Sequence, residues 1–405
     1  MQTKRLQIPG GMQDTLPDEC TAKHELESRL RPLFASWGYR EIETPILEYY
    51  DALDDEVWGY RPEHVWKTFD RDSRILALRP DTTIPAVRLA CSKLQHEPLP
   101  LRLCYLQTAC KYERDTLSML SEQTQAGVEL MGEGTEQSDL EILTLAARAL
   151  QVTGIEHVQL EIGHVGFLRR ILAASGLSRD LEARTLELLG QKNAPEMEAV
   201  LTRSGVAPAD VERLVTLTRL YGTGEVLDEA RTLTRDPVAL QALDALGESL
   251  KVLKTLYPSM AFSLDLGMEQ EAGYYSGIVF QAQTPDVGQP ILSGGRYDHL
   301  PERYGRQLPA VGFAMSLKLA LIALEKQNRL LARGKQPVAL SFGRGAYLQA
   351  HSLAEQLRQN GETVALLYSE PESLVRSELA AGRWSRAAIL REDGVVWLEG
   401  GGSDA

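Results

Sequence analysis

The chain has 405 residues, 43% hydrophobic and 24% charged, which is enough apolar material for two to three domains of roughly 100–200 residues each and excludes a disordered chain. Its 43 Lys and Arg face 56 Asp and Glu, a net charge of −13, so no global basic field exists to neutralise phosphates and nucleic-acid binding is not expected. Cys20, Cys91, Cys104 and Cys110 form no CxxC pair and have no His at zinc-ligand spacing, and neither an apolar leader nor a run of about 18 apolar residues is present, so a cytoplasmic chain with no metal, no cofactor and no membrane span is expected.

In chain order, Thr15-Leu16-Pro17-Asp18-Glu19 opens a helix, because proline suits the first turn and acids there suit the helix dipole. Leu26, Leu30, Leu33, Phe34 and Trp37 follow at helical spacing, and Gly38 ends the helix. Arg40 to Leu47 is extended, with Pro45 marking an edge or bend. Arg74 to Leu78 reads as a strand, Thr83 to Lys93 as a helix, and Leu101 to Glu113 and Thr124 to Met131 as strands. Ser138-Asp139-Leu140-Glu141 has the form of a capping box opening a helix to about Leu150. Val158, Leu160 and Ile162 alternate with Gln159 and Glu161 in a half-buried strand.

From Val165 to Leu256 the texture is helical throughout, an insertion in a strand-rich domain. Strands return at Phe262 to Leu266 and Gly277 to Gln283, with Thr284 to Gln289 a loop and Val311 to Leu324 a strand running into a helix. Asn328 to Gln336 reads as a linker. Val338 to Phe342, Gln349 to Asn360 and Thr363 to Tyr368 make a βαβ-like unit, and Ala387 to Leu390 with Val395 to Leu398 a hairpin around Asp393-Gly394. The predicted fold is α+β: residues 1–327 as the main domain, with the helical insertion at about 165–256, and 337–399 as a small α/β C-terminal domain.

Four short segments place polar residues near strand ends: Leu78 to Thr83, Lys111 to Arg114, Gln125 to Glu129 and Gly273 to Gly277. An amino-acid ligand needs a carboxylate for its ammonium group and a carboxylate or phenol for a side-chain donor, and Asp81, Gln125, Glu129, Tyr274 and Tyr275 supply those chemistries. Singly, each has a plainer explanation: an Asp after Arg-Pro caps a turn, a Glu in a strand faces solvent, and a Tyr pair packs. Their order along the chain is what carries weight.

That order resembles the histidyl-tRNA synthetase family, class II synthetases, over nearly the whole chain. Gly11 to Pro17 is similar to the family's opening motif, and Gly38-Tyr39 through Thr44-Pro45 to the first class II motif, whose proline lies at the dimer interface. Leu78-Arg79-Pro80-Asp81 resembles the segment LRPE-x-T, and Cys110 to Arg114 the second class II motif. Gln125 to Glu129 resembles the strand that contacts histidine, and Gly273 to Phe280 the histidine-specific tyrosine segment. Gly294 to Asp298 and Val311 to Ala314 resemble the region of the third motif. The resemblance implies an antiparallel class II sheet flanked by helices, and a histidine pocket of Asp81, Thr83, Gln125, Glu129, Tyr274 and Tyr275, with Asp81 one methylene shorter than the family's Glu.

The departures concern the nucleotide site. Arginines grip the triphosphate of ATP because a planar guanidinium binds phosphate oxygens bidentately. The second-motif arginine falls at Lys111, the third-motif arginine at Leu319 and the histidine-segment arginine at Gln270, while Arg114 is kept and Asp115 to Glu122 contains no Lys or Arg. One lost donor costs roughly 10²–10³ in rate, so adenylation is expected to be negligible and no catalytic residue is assigned. The residues from about Val338 resemble a shortened anticodon-binding domain, so no tRNA is expected.

A retained amino-acid pocket beside a degenerate nucleotide site resembles the regulatory subunits of ATP phosphoribosyltransferase, a histidyl-tRNA synthetase-like family. That resemblance implies a hetero-oligomer with the short-form catalytic subunit, self-association through the class II dimer interface, and feedback inhibition of histidine biosynthesis by histidine as effector. The other two readings are a working histidyl-tRNA synthetase, opposed by Leu319 and Gln270, and a stand-alone histidine-binding module.

Overall fold

A computed structural model describes residues 7–53, 65–111, 121–268, 273–330, 336–391 and 393–398. The chain divides into two compact units, one of Met1–Leu16 and Lys23–Arg329, the other of Pro17–Ala22 and Leu330–Ala405. No helix among the described residues is long and apolar enough to cross a membrane.

Helix α1 (Pro17–Ser36) starts at its proline with Asp18 and Glu19 in the first turn, buries Leu26, Leu30 and Phe34 completely, and stops before Gly38 at φ +82. The chain then enters β1 (Arg40–Glu41) and β2 (Leu47–Tyr49), which belong to different sheets, so Pro45 marks the crossing between them. Strands β3 (Lys67–Phe69) and β4 (Ile75–Leu78) pair around β2 in a small sheet of order β2-β4-β3. Next come α2 (Thr83–Ser92), β5 (Leu101–Cys110) and β6 (Glu122–Met131).

Helix α3 (Glu136–Thr153) begins two residues before the predicted capping box. Its N-cap is Thr135, and Ser138 turns inward to donate to Thr135 O at 2.6 Å and to accept from Arg296 at 2.7 Å. The pattern Ser-x-x-Glu had a competing use, as a buried partner for an arginine 158 residues away.

After β7 (Gln159–His164) the segment from Val165 to Leu256 forms α4 (Val165–Ala174), α5 (Arg179–Gly190), α6 (Ala194–Arg203), α7 (Pro208–Thr216), the short strand β8 (Tyr221–Gly222), α8 (Glu225–Thr232) and α9 (Pro237–Leu256). Strands β9 (Ala261–Asp265), β10 (Ile278–Thr284), β11 (Val287–Arg296) and β12 (Ala310–Ser316) and helix α10 (Leu317–Lys326) complete this unit. The loop expected over Thr284 to Gln289 is only a two-residue turn. Val287 already pairs with Thr284, and Pro290 falls in the irregular stretch before Leu292 pairs with Ala282, where a missing N–H costs no ladder bond.

The main sheet has nine strands in the order β1-β5-β6-β12-β11-β10-β7-β9-β8. It is antiparallel except for β1 with β5 and β7 with β9. Alternation gives the sheet two distinct faces. One carries Cys104, Val128, Phe313 and Phe280, all buried, with Phe34 of α1 edge-on to Phe313 at 6.2 Å. The other carries Gln125, Gly127 and Glu129 of β6, opposed by Gln107, Tyr105 and Leu103 of β5 and by Ser316, Ala314 and Gly312 of β12. Register thus fixes which side chains share the second face.

The second unit has β13 (Val338–Phe342), α11 (Tyr347–Gln359), β14 (Val364–Tyr368), α12 (Glu372–Ala380), β15 (Arg386–Arg391) and β16 (Gly394–Leu398), with sheet order β14-β13-β15-β16. β13 runs parallel to β14 and β15, and β15–β16 is the expected hairpin. Val338, Leu340 and Phe342 pack on Ala350 and Ala354 of α11, while Ala339 and Ala387 pack on Val375 of α12. Helix α12 was not anticipated.

Candidate functional site

The centre of the second face is Glu129, fully buried on β6. Its Oε1 accepts from Tyr105 Oη at 3.0 Å, and its Oε2 accepts a short hydrogen bond from Tyr297 Oη. Burial raises the Glu129 pKa to about 7, against the hydrogen bonds from Tyr297, Thr83 and Tyr105 that favour the carboxylate. Burial and the nearby Glu129 charge push Tyr105 and Tyr297 well above the usual phenol value, so both remain donors.

Glycines make the room. A Cβ at Gly312 would overlap Glu129 Oε2 and the Val128 carbonyl, and one at Gly295 would lie 2.8 Å from the Tyr275 ring. At Gly127 a Cβ would stand 2.5 Å from Tyr105 Oη. Three neighbouring strands therefore give up side chains so that a carboxylate and phenols can occupy one face.

Around this centre the structure gathers the residues that the sequence singled out. Asp81, 7% exposed, caps α2 by accepting from Ile84 N at 2.9 Å, so the turn-capping role expected of an Asp in that setting is real for one of its oxygens. Its charge is close enough to raise Glu129. Thr83 lies 3.4 Å from Tyr105 Oη. Gln125 Oε1 accepts from Thr82 N and Oγ1, both at 3.1 Å, which leaves the amide nitrogen as the end suited to a ligand acceptor. The Tyr274 and Tyr275 rings lie 4.8 Å apart and tilted by 49°, Tyr274 also meets Tyr297 edge-on at 5.8 Å, and burial raises the Tyr275 phenol. All six predicted pocket residues are thus brought together.

The residues expected at a nucleotide site divide differently. Lys111 is one residue beyond β5 and bridges to Val65. Leu319 lies half-buried in the first turn of α10, its N–H capped by Ser316 Oγ at 3.3 Å. Because Ser316 pairs with Gln125 and Cys110 with Glu122, Lys111 and Leu319 stand at the same end of the sheet, where Leu319 offers only hydrocarbon. Arg114 and Gln270 lie outside the described residues.

Sequence reasoning passed over Tyr105, and gave no individual role to Arg79, Arg296 and Tyr297, which stand inside its motifs. Arg296 holds Asp139 at 2.7 Å and Asp298 at 3.0 Å. Burial works against its charge, but the two carboxylates outweigh that and raise its pKa. Beside it, burial and the Arg296 charge lower His164 to about 4, a neutral imidazole whose Nδ1 accepts from Phe167 N. Arg79, 5% exposed, donates to Thr108 O at 2.6 Å, Thr44 O at 2.7 Å and Gln107 Oε1 at 2.8 Å. It joins β5 to the segment around Pro45, two residues ahead of Asp81. The adjacent glycines were the available signal for Tyr105 and Tyr297, but they become legible only once the strand register is known.

Comparison with known proteins bears on this arrangement. A family model described as histidyl-tRNA synthetase matches residues 11–320. The ATP phosphoribosyltransferase regulatory subunit of Symbiobacterium thermophilum is 36% identical over 392 residues, 96% of this chain and 97% of that one. The protein of the same name from Acetivibrio thermocellus is 35% identical over 89% of this chain and 86% of its own. A crystal structure from Bacillus halodurans, described as an ATP phosphoribosyltransferase regulatory subunit/histidyl-tRNA synthetase, superposes with TM-score 0.84 at 29% identity, covering 95% of this chain and 97% of that one. Histidyl-tRNA synthetase from Nostoc shares the fold, with TM-score 0.79 at 18% identity over 96% and 92% of the two chains.

Proposed function

The chain belongs to the ATP phosphoribosyltransferase regulatory subunits, a family built on the histidyl-tRNA synthetase fold, and we propose that it has no adenylating activity of its own and uses its pocket to sense histidine. The observation that carries this reading is the contrast along one sheet. Glu129 and its phenols form a complete polar centre, while Leu319, at the position that resembles the third-motif arginine, has no group to grip a phosphate. Glu129 and Tyr275 take the imidazole; Asp81, Thr83 and Gln125 take the amino-acid end; Tyr274 packs behind Tyr275.

The partner is the short-form catalytic subunit. Histidine acts by its differential affinity for two assembly states, a coupling of about 1–3 kcal/mol. Self-association uses the exposed apolar residues beside Pro45, namely Ile46, Leu47 and Tyr49, 39–46% exposed. Cys91, Cys104 and Cys110 are buried free thiols, which suits a reducing cytoplasm.

The test mixes the full chain with a short catalytic subunit and follows phosphoribosyl transfer. Activity is expected to rise on mixing and to fall again when histidine is added. Activity indifferent to the chain would sink the reading, and histidine-dependent ATP–pyrophosphate exchange by the chain alone would make it a synthetase instead.

A pH dependence follows. A bound imidazole and Glu129 share one proton. Below the histidine ring pKa of about 6.5 a proton must be released on binding, and above the Glu129 pKa of about 7 one must be taken up. Calorimetry between about pH 5.5 and 9 is expected to show affinity peaking near neutrality, with proton release on the acid side and uptake on the alkaline side. A flat profile would remove Glu129 from the imidazole.

A further inference from the structure

Four strands along the sheet from β6, on the same face as Glu129, the helical insertion borders an open polar cleft of about 500 Å³. The register carries Glu129 through Gly312, Gly295 and Val279 to Gly163, and Glu161 follows two residues away on that face. At about 4.8 Å per strand the two carboxylates are roughly 19 Å apart, so this is a separate site.

Two carboxylates are buried in the cleft, Glu161 at 9% exposure and Asp265 at 6%. Burying a carboxylate is expensive unless it is hydrogen-bonded, and here the donors come from the cleft walls. Tyr221 donates to Glu161 Oε1 at 3.0 Å, and Gln281 and Gln283 donate to Oε2 at 2.9 and 3.2 Å. Lys192 donates to Asp265 at 2.7 Å, as does the Gly267 N–H at 3.0 Å.

The balance of what remains is one-sided. Gln281 and Gln283 each turn the amide nitrogen to Glu161, which directs their carbonyl oxygens away from that carboxylate. The phenol proton of Tyr221 goes to Glu161 likewise. The cleft holds two negative charges and one positive, an excess of one negative charge, with the glutamine carbonyl oxygens as further acceptors. A cavity of this size and polarity fits a small ligand that brings donors and positive charge. We propose that it binds a small organic cation carrying a primary ammonium or guanidinium group, held between Glu161 and the glutamine carbonyls. Met268 lines this cleft and packs in the same core cluster as Tyr275 and Tyr297, so its occupancy bears on the wall of the Glu129 pocket.

The test titrates the full chain with putrescine, agmatine and L-arginine, with citrate as the anionic control, by calorimetry and thermal shift. At least one cation is expected to bind saturably, and citrate is not. Glu161→Gln is expected to weaken that binding roughly ten- to hundred-fold, the effect of removing one charged hydrogen-bond partner, while histidine affinity at Glu129 stays unchanged and reports an intact fold. Lys192→Met removes the resident cation and is expected to tighten binding, which keeps the test alive if Glu161→Gln does not fold. Absence of saturable binding by all three cations, preference for citrate, or equal affinity in Glu161→Gln and wild type would each overturn the proposal. The histidine reading would stand in any of those cases.

Discussion

Glu129→Ala is expected to lower histidine affinity by at least about 30-fold, because the charged hydrogen bonds a buried carboxylate accepts are worth about 1.5–3 kcal/mol each. Calorimetry reads this directly, and the mixed complex should keep its activation by the chain while losing inhibition by histidine. Retained inhibition would place the effector elsewhere, at a subunit interface. Glu129→Gln separates charge from shape. The folded-state pKa of Glu129 is raised, to about 7 from a usual 4.5, so its contribution to stability is fully present below about 4.5 and is lost as pH rises through 7. Holding the carboxylate ionised at pH 8 therefore costs on the order of 3 kcal/mol. The glutamine variant should bind histidine weakly yet melt higher than wild type at pH 8, and the gain should vanish near pH 5. A variant that melts lower at both pH values would mean that the carboxylate is structural.

The second large effect is expected from Gly312→Ala. The added methyl meets Glu129 Oε2 on one side and the Val128 carbonyl on the other. A side chain can yield, but a backbone oxygen inside a strand pair cannot, so overpacking here should cost about 2–4 kcal/mol. Histidine binding should be lost even where the protein still folds. Gly288→Ala, whose Cβ would meet nothing within 4 Å, is the control and should stay within about 0.5 kcal/mol of wild type. Chemical denaturation with both variants compares them, and equal stability would refute the assignment of Gly312 as room for the carboxylate.

Local signals carried much of the fold. Pro17 with its acids, the alternation around Glu161 and the glycine turn before Val395 each encode an element within a few residues, and the structure has α1, β7 and the β15–β16 hairpin there. Signals with two uses misled. Ser138 reads as a cap but serves Arg296, and Pro290 reads as a loop but sits in a strand irregularity. The pocket was legible in part for the same reason. Asp81, Gln125, Glu129 and the tyrosine pair stand in short motifs. Tyr105 reaches Glu129 only because Tyr105 pairs with Gly127, and Tyr297 only because β11 and β12 bring residue 297 across 168 positions. Such contacts depend on register, which no single stretch of sequence states.

Arg79 has a further bearing on how a histidine signal would leave the pocket. Its guanidinium is buried among carbonyl and amide oxygens with no carboxylate among the partners named above, and burial lowers its pKa. Its bonds to Thr44 and Pro45 on one side and to Gln107 and Thr108 of β5 on the other tie the two together, and the residues after it lead into Asp81. Were two chains to pair through the Pro45 stretch, a shift there would reach Arg79, two residues ahead of Asp81, and pairing would be coupled to the seating of a ligand. Two copies joined there would fill their pockets as one thermodynamic unit, so the midpoint and steepness of a histidine response become properties of the assembly and not of a chain.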